Sequence, residues 1–263
     1  MLNELLLGIG VGIALGLTGS GGTLAVPALM LGLGMTIEEA RPVSLIAIGI
    51  SSLIGTIDGF RHGLVRYRAA LVMAAFGITA SPLGIKAAAW LPTHALTTLF
   101  SLLLLFIAAR MGWHAWHDGE SRTHVALSRN CMLREETGRF QWNPKCFFTL
   151  AAIGALAGFN SGLLGVGGGF LIVPGIQQFS NLGMHGIVAT SLAVITLVSS
   201  GTVLQSLAHG AVITESGWYF IGATGVGLLV GRLWSPYLSA RILQFTFAGL
   251  ASVVAAMLFA KYW

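Results

Sequence analysis

Charge is what this chain has least of. Asp, Glu, Lys and Arg make up 9% of its 263 residues, against roughly 25% in an ordinary soluble domain. A soluble protein of this length could not cover its surface with so few, so the chain reads as a polytopic membrane protein. Cysteine is nearly absent too: Cys131 and Cys146 are the only two, which excludes a disulfide-stapled scaffold. No Cys-x-x-Cys or His-x-x-x-His spacing supports a metal site, although His114, His117 and His124 lie near the cysteines. The net charge of +5 does not point to nucleic acid, because aromatic residues are not interleaved with a basic stripe. Nothing calls for a cofactor. The start, Met1-Leu-Asn-Glu, lacks the basic region of a cleaved signal peptide, so the first apolar run is expected in the mature protein.

What is there is hydrophobic: 55% of the residues, with a mean hydropathy of +0.83. Apolar runs fall near Leu5–Leu33, Val43–Phe60, Ala69–Ala88 and Ala95–Met111, then Cys146–Phe179, Ile187–Leu207, Gly217–Leu233 and Ile242–Ala260. Most have the roughly 17–25 residues of a transmembrane helix. The first run of each half is longer and carries glycines at its centre, where a plain helix should not want them. Each is expected as two helical pieces around an unwound centre, neither piece a full span by itself. Trp113–Lys145 is polar, with Arg122, Arg129, Arg134, Arg139 and Lys145, and reads as a cytoplasmic linker with room for one amphipathic helix. In the cytosol its cysteines are expected as reduced thiols. The domains are therefore 1–112, a first transmembrane repeat, 113–145, the linker, and 146–263, a second repeat.

The two halves are copies. At a constant offset of 147 residues, Gly21-Gly22 matches Gly168-Gly169, and Leu24, Val26 and Pro27 match Leu171, Val173 and Pro174. The register continues through Ser44/Ser191, Ile48/Ile195, Ser52/Ser199, His62/His209, Gly84/Gly231 and Phe100/Phe247. This is an internal duplication. The fold expected is all-α, about eight transmembrane helices in two tandem four-run repeats, the first run of each broken at the glycines. Duplication with broken helices is the pattern of secondary transporters, whose sites lie near the bilayer midplane.

On the duplicated break ending in Val-Pro, on Thr190-Ser191-Leu192, and on the length and basic linker, the whole chain resembles the TauE/SafE family of sulfite exporters and anion permeases. The first half departs from the second's triple glycine, with Ser20 where the second has Gly167, and has Pro42-Val43 where the second has Ala189-Thr190. The resemblance implies an integral, multi-pass protein of a bacterial inner membrane that moves small sulfur-containing anions such as sulfite or organosulfonates. Its partners would be that anion, the lipid bilayer, and a coupling proton or ion, with self-association left open.

Physically, successive glycines let N–H groups turn inward as an anion nest, and the helix that follows adds a partial positive charge. The candidate substrate-binding residues are Ser20, Gly21, Gly22, Thr23 and Ser44, with Asn160, Gly167, Gly168, Gly169 and Ser191. Thr18, Ser161, Ser52 and Ser199 could add hydroxyls, although a serine in a membrane helix commonly bonds its own helix. Close packing is the plainer use of glycines, and it suits Gly8, Gly12 and Gly16. Asp58, His62 and His209 are candidates for gating or proton coupling. Two other functions stay open: transport of another small anion or a metal ion, and an intramembrane serine hydrolase using Ser20 with His62 or His209. Topology forks as well. If each broken run spans, the repeats are parallel and Lys/Arg divides ten to four about the membrane; if each is a hairpin, the repeats are inverted and the division is eleven to three, of 14. Eight spans is the working expectation.

Overall fold

The structure is a computed structural model that describes residues 2–18, 21–117, 131–134, 139–140, 142–208, 213–234, 249 and 251–260. Nearly all of them are helical. The order is α1 (Leu2–Thr18), a 3₁₀ turn (Gly21–Leu24), a short α2 (Ala25–Pro27) widening into a π turn (Ala28–Gly32), then α3 (Ile37–Arg61), α4 (Tyr67–Trp90) and α5 (Thr93–His117). After the linker come α6 (Pro144–Leu164), α7 (Gly169–Phe179), α8 (Met184–Ala208), α9 (Glu215–Trp234) and a last helix, α10 (Ala251–Ala260). The described part of the linker holds no amphipathic helix. It includes a small antiparallel ribbon, β1 (Leu133–Arg134) against β2 (Arg139–Phe140), and residues 118–130, where a helix had room, lie outside the described residues.

Among the described residues, four helices are long and apolar enough to cross a membrane: Ile37–Arg61, Tyr67–Trp90, Pro144–Leu164 and His185–Ala208. The third corrects an expectation. With 21 residues α6 rises about 31 Å, the thickness of a hydrocarbon core, without help from α7. Leu71, Leu83, Phe106, Leu156, Leu204 and Leu233 each expose more than half of their surface, as lipid-facing side chains should.

Glycines fix how the helices run. A methyl on Gly154 would strike Met73, one on Gly158 would strike Gly77, and one on Gly162 would strike Ser81. Both members of the pairs advance together, so α4 and α6 lie parallel at backbone contact. Gly8 against Phe220 and Ala223, Gly12 against Thr224 and Leu228, and Gly231 against Ile13 make α1 and α9 parallel in the same way. This is the small-residue packing that lets membrane helices touch without a hydrophobic driving force. By contrast, α3 and α8 are antiparallel: Gly49 meets Ser199, Thr56 bonds Thr196 at 3.3 Å, and Gly59 meets Ala189. Parallel pairs Gly77–Val198 and Ser81–Thr202 tie α4 to α8.

It follows that α4, α6 and α8 point one way, although α6 and α8 are separated only by α7. The chain must therefore double back, and it does. Gly168 packs on Ala157 and Gly175 on Ile153, so α7 lies antiparallel along α6. In the first half Gly32 packs on Leu7, and the short second piece returns along α1 in the same manner. Each broken run is a hairpin rather than a helix continued through a gap. Cys131 and Cys146 form a disulfide at the open end of the second hairpin, against the expectation of free thiols. The linker folds back there, and Cys131 N donates to Phe179 O at 3.0 Å.

Candidate functional site

Local chemistry explains why the second run breaks where it does. Gly165 caps α6 in the left-handed region (φ 75°), and its N–H donates to Ser161 O at 2.9 Å. Gly167 and Gly168 follow with φ of 69° and 72°, a conformation that costs a side-chain-bearing residue about 1–2 kcal/mol. The helix restarts at Gly169, with Gly168 as its N-cap and no side chain capping the first N–H groups. Leu171 and Ile172 N–H donate back to Gly168 O, so the N–H groups of Gly169 and Phe170 and the partial positive charge of an eleven-residue helix face the break. The first run turns differently, through the 3₁₀ turn Gly21–Leu24, and Gly22 is not left-handed.

The two breaks meet at one side chain. A Cβ on Gly22 would stand 3.0 Å from Ile48 Cδ1, and a Cβ on Gly167 would stand 3.1 Å from Ile48 Cγ2. Ile48 is buried midway along α3, and its counterpart Ile195 lies 3.4 Å from the same point on Gly167. Around this crossing lie four serines, Ser51 and Ser52 on α3, Ser161 on α6 and Ser199 on α8, all fully buried. Their hydroxyls have no hydrogen-bond partner in the protein. Ser199 Oγ is 3.3 Å from where a Gly167 Cβ would be, and Ser52 is its counterpart in the repeat. A buried hydroxyl left without a partner costs about 1–3 kcal/mol.

The other candidates divide. Ser44 Oγ lies 2.7 Å from Gly165 O and 2.8 Å from Arg41 O, so its proton is taken up in holding the second break to α3. Ser191, its sequence twin, donates to Val188 O within α8. Asn160 donates to Leu156 O in its own helix. Thr23 is buried in the first break. Ser20 and His209 lie outside the described residues. Asp58 and His62 sit at the far end of α3, both more than half exposed, with His62 Nδ1 3.4 Å from Asp58 Oδ1 and 2.9 Å from Asp58 O. That pair is ten or more residues beyond Ile48, about 15–20 Å of helix rise. The structure thus brings Gly22, Gly167 and Ser199 together about Ile48, with Ser52 one turn further along α3, and keeps Asp58 and His62 apart from them.

Arg41 was not among the candidates. Its side chain leans on Gly165, with Nε 3.3 Å from Ile37 O and Nη1 3.4 Å from Leu163 O. It caps the carbonyl end of α6, where a cation complements the helix dipole. The available signal was a charge beside Pro42 whose repeat counterpart is Val188.

The sequence profile described as sulfite exporter TauE/SafE matches residues 5–258. A probable membrane transporter protein of Xylella fastidiosa (strain Temecula1 / ATCC 700964) is 28% identical over 259 residues, covering 96% of this chain and 92% of its own. Two Bacillus subtilis (strain 168) proteins are similar: the probable membrane transporter protein YdhB, 27% identical over 88% of this chain and 85% of its own, and YjnA, 25% identical over 95% and 96%.

Proposed function

Because the chain belongs to the sulfite exporter TauE/SafE family, we propose that it is a secondary transporter carrying a small sulfur oxyanion, such as sulfite or an organosulfonate, through a site between its two hairpin breaks. The observation that carries the reading is a pair of unpartnered, fully buried serines related by the repeat: Ser199, beside left-handed Gly167 at the N-terminus of α7, and Ser52, one turn along α3 from Ile48. Hydroxyls and N–H groups donate to an anion without placing a full positive charge in the membrane, where one is costly. At Gly167 the hydroxyl of Ser199 lies between two apolar side chains, Ile48 and Ile195.

Helix directions favour an inverted arrangement. The first-half helices α1, α3 and α4 run opposite to their counterparts α6, α8 and α9, so the halves relate by a pseudo-two-fold axis in the membrane plane. Each repeat then contributes a hairpin and three further crossings. Charge gives the orientation. Of the described cations, Arg61, Arg66, Arg68, Arg110, Arg134, Arg139, Lys145 and Arg232 belong to the end bearing the linker, whereas Arg41 and Lys86 belong to the other. The linker end is cytoplasmic by the positive-inside rule. Glu4, Glu38, Glu39 and Glu215 lie at the opposite end.

Of the serine-hydrolase alternative, Ser20 and His209 lie outside the described residues, and His62 stands about 20 Å along α3 from the crossing of the breaks. Counterflow in proteoliposomes tests the proposal: purified protein loaded with sulfite should exchange labelled sulfite and a small sulfonate, and not a divalent cation. Cation exchange without anion exchange would refute it.

A further inference from the structure

The disulfide is at the wrong end of the molecule for a permanent one. Cys131 and Cys146 are bonded at the linker end, which the Arg and Lys distribution assigns to the cytosol, and cytosolic cysteines are kept reduced. Resting on that orientation, we infer that Cys131 and Cys146 form a redox-controlled strap that pins the free end of the α7 hairpin.

The geometry makes the pair a strap rather than an ornament. Cys146 is in the first turn of α6, and Cys131 carries the linker. Cys131 also donates its N–H to Phe179 O, at 3.0 Å, and lies in parallel register with Ser180, where α7 ends. Ser180 closes α7 by donating its hydroxyl to Ile176 O at 2.7 Å. The S–S bond joins the linker to the start of α6, and the backbone of Cys131 in turn holds the end of α7 by its hydrogen bond to Phe179. The bond closes a ring spanning 15 residues that includes the β1–β2 ribbon. Both cysteines are fully buried, but Met132 beside Cys131 is 42% exposed, so exchange proceeds through local opening of the ribbon. When the bond is broken, Cys131 is no longer anchored to α6 and the linker's hold on the end of α7 loosens, while α7 still packs on α6 through Gly168 and Gly175; in the reading proposed above the far end of α7, at Gly168, walls the anion site.

The chemistry balances. A thiolate of the pair attacks a small-molecule or protein disulfide, releasing one thiol and leaving a mixed disulfide on the chain. The second cysteine attacks that mixed disulfide, forms the Cys131–Cys146 bond and releases the second thiol. Two protons and two electrons pass from the pair to the oxidant. Reduction by a dithiol reverses the sequence.

The test has two arms on the full-length protein. In cells quenched with acid and then labelled in detergent with a maleimide-polyethylene glycol, the resting protein should gain two labels, and diamide-treated cells should yield none. A protein without labels at rest, which gains them only when periplasmic disulfide formation is removed, would overturn the inference. In proteoliposomes, oxidation should slow hydrogen exchange over 176–180 by about ten-fold or more and lower sulfite flux several-fold. Cys131→Ser and Cys146→Ser should respond in neither readout. Equal exchange and flux in both redox states would refute the strap. Redox-dependent exchange without sulfite flux in either state would support the strap and refute the cargo proposed above.

Discussion

Replacing Gly168 with alanine separates a structural break from a loose one. Gly168 has φ 72°, and an alanine forced into that region costs about 1–2 kcal/mol. Its Cβ would stand 2.7 Å from Ala157 O and 2.8 Å from Ala157 Cβ. Neither atom belongs to a side chain that can swing away, so overpacking adds about 1–3 kcal/mol. The sum is about 2–5 kcal/mol, equivalent to a fall of roughly 5–15 °C in apparent Tm for a chain of this size. Gly22→Ala in the other break meets only Ile48 side-chain atoms, 3.0–3.2 Å away. Ile48 can change rotamer, and alanine is preferred to glycine in a helical turn, so the change should lie within about 1 kcal/mol of zero. Gly183→Ala, with nothing within 4 Å, is the control. Thermal unfolding in detergent, followed by tryptophan fluorescence, reads all three. A Gly168→Ala protein melting with the control would refute the left-handed, backbone-packed geometry assigned to the second break.

Ser44→Ala should destabilise by about 1 kcal/mol, because Gly165 O loses a buried donor; an unchanged Tm would mean that the hydroxyl does not hold the break. Gly158→Leu should prevent α4 and α6 from touching at Gly77, costing more than about 3 kcal/mol and reducing the yield of monodisperse protein, whereas Gly222→Leu, in open space, should not. An Asn3→Cys variant on a Cys131→Ser/Cys146→Ser background should react with an impermeant maleimide from the periplasmic side of whole cells. Labelling only in inverted vesicles would overturn the orientation.

Much of the architecture is written in the residues. The apolar runs mark the helices, and the offset of 147 ties Gly22 to Gly169 and Ser52 to Ser199 before any coordinate is known. Hydropathy, however, is blind to direction: a helix continued through a gap and a hairpin folded at the same glycines have the same composition. Only Gly168 on Ala157 and Gly175 on Ile153 reveal the return. The run Cys146–Phe179 is expected to break near its centre into two pieces, neither long enough to span, yet the break falls after Leu164 and leaves α6 a full span. Ser44 and Ser191 read as twins, yet only Ser44 faces the carbonyl of Gly165. The meeting of Cys131 with Cys146 depends on the linker folding back onto α7, a tertiary event with no local signature.

The central claim is that the unpartnered serines at the crossing of the breaks hold the anion. The most direct measurement is sulfite counterflow by the Ser52→Ala/Ser199→Ala double variant alongside its melting temperature. Removing hydroxyls that bond nothing in the protein should leave Tm unchanged or slightly raised. Losing two donors to an anion, each worth about 1.5–3 kcal/mol, should weaken apparent sulfite affinity by at least about ten-fold. Unaltered counterflow at an unaltered Tm would contradict the account.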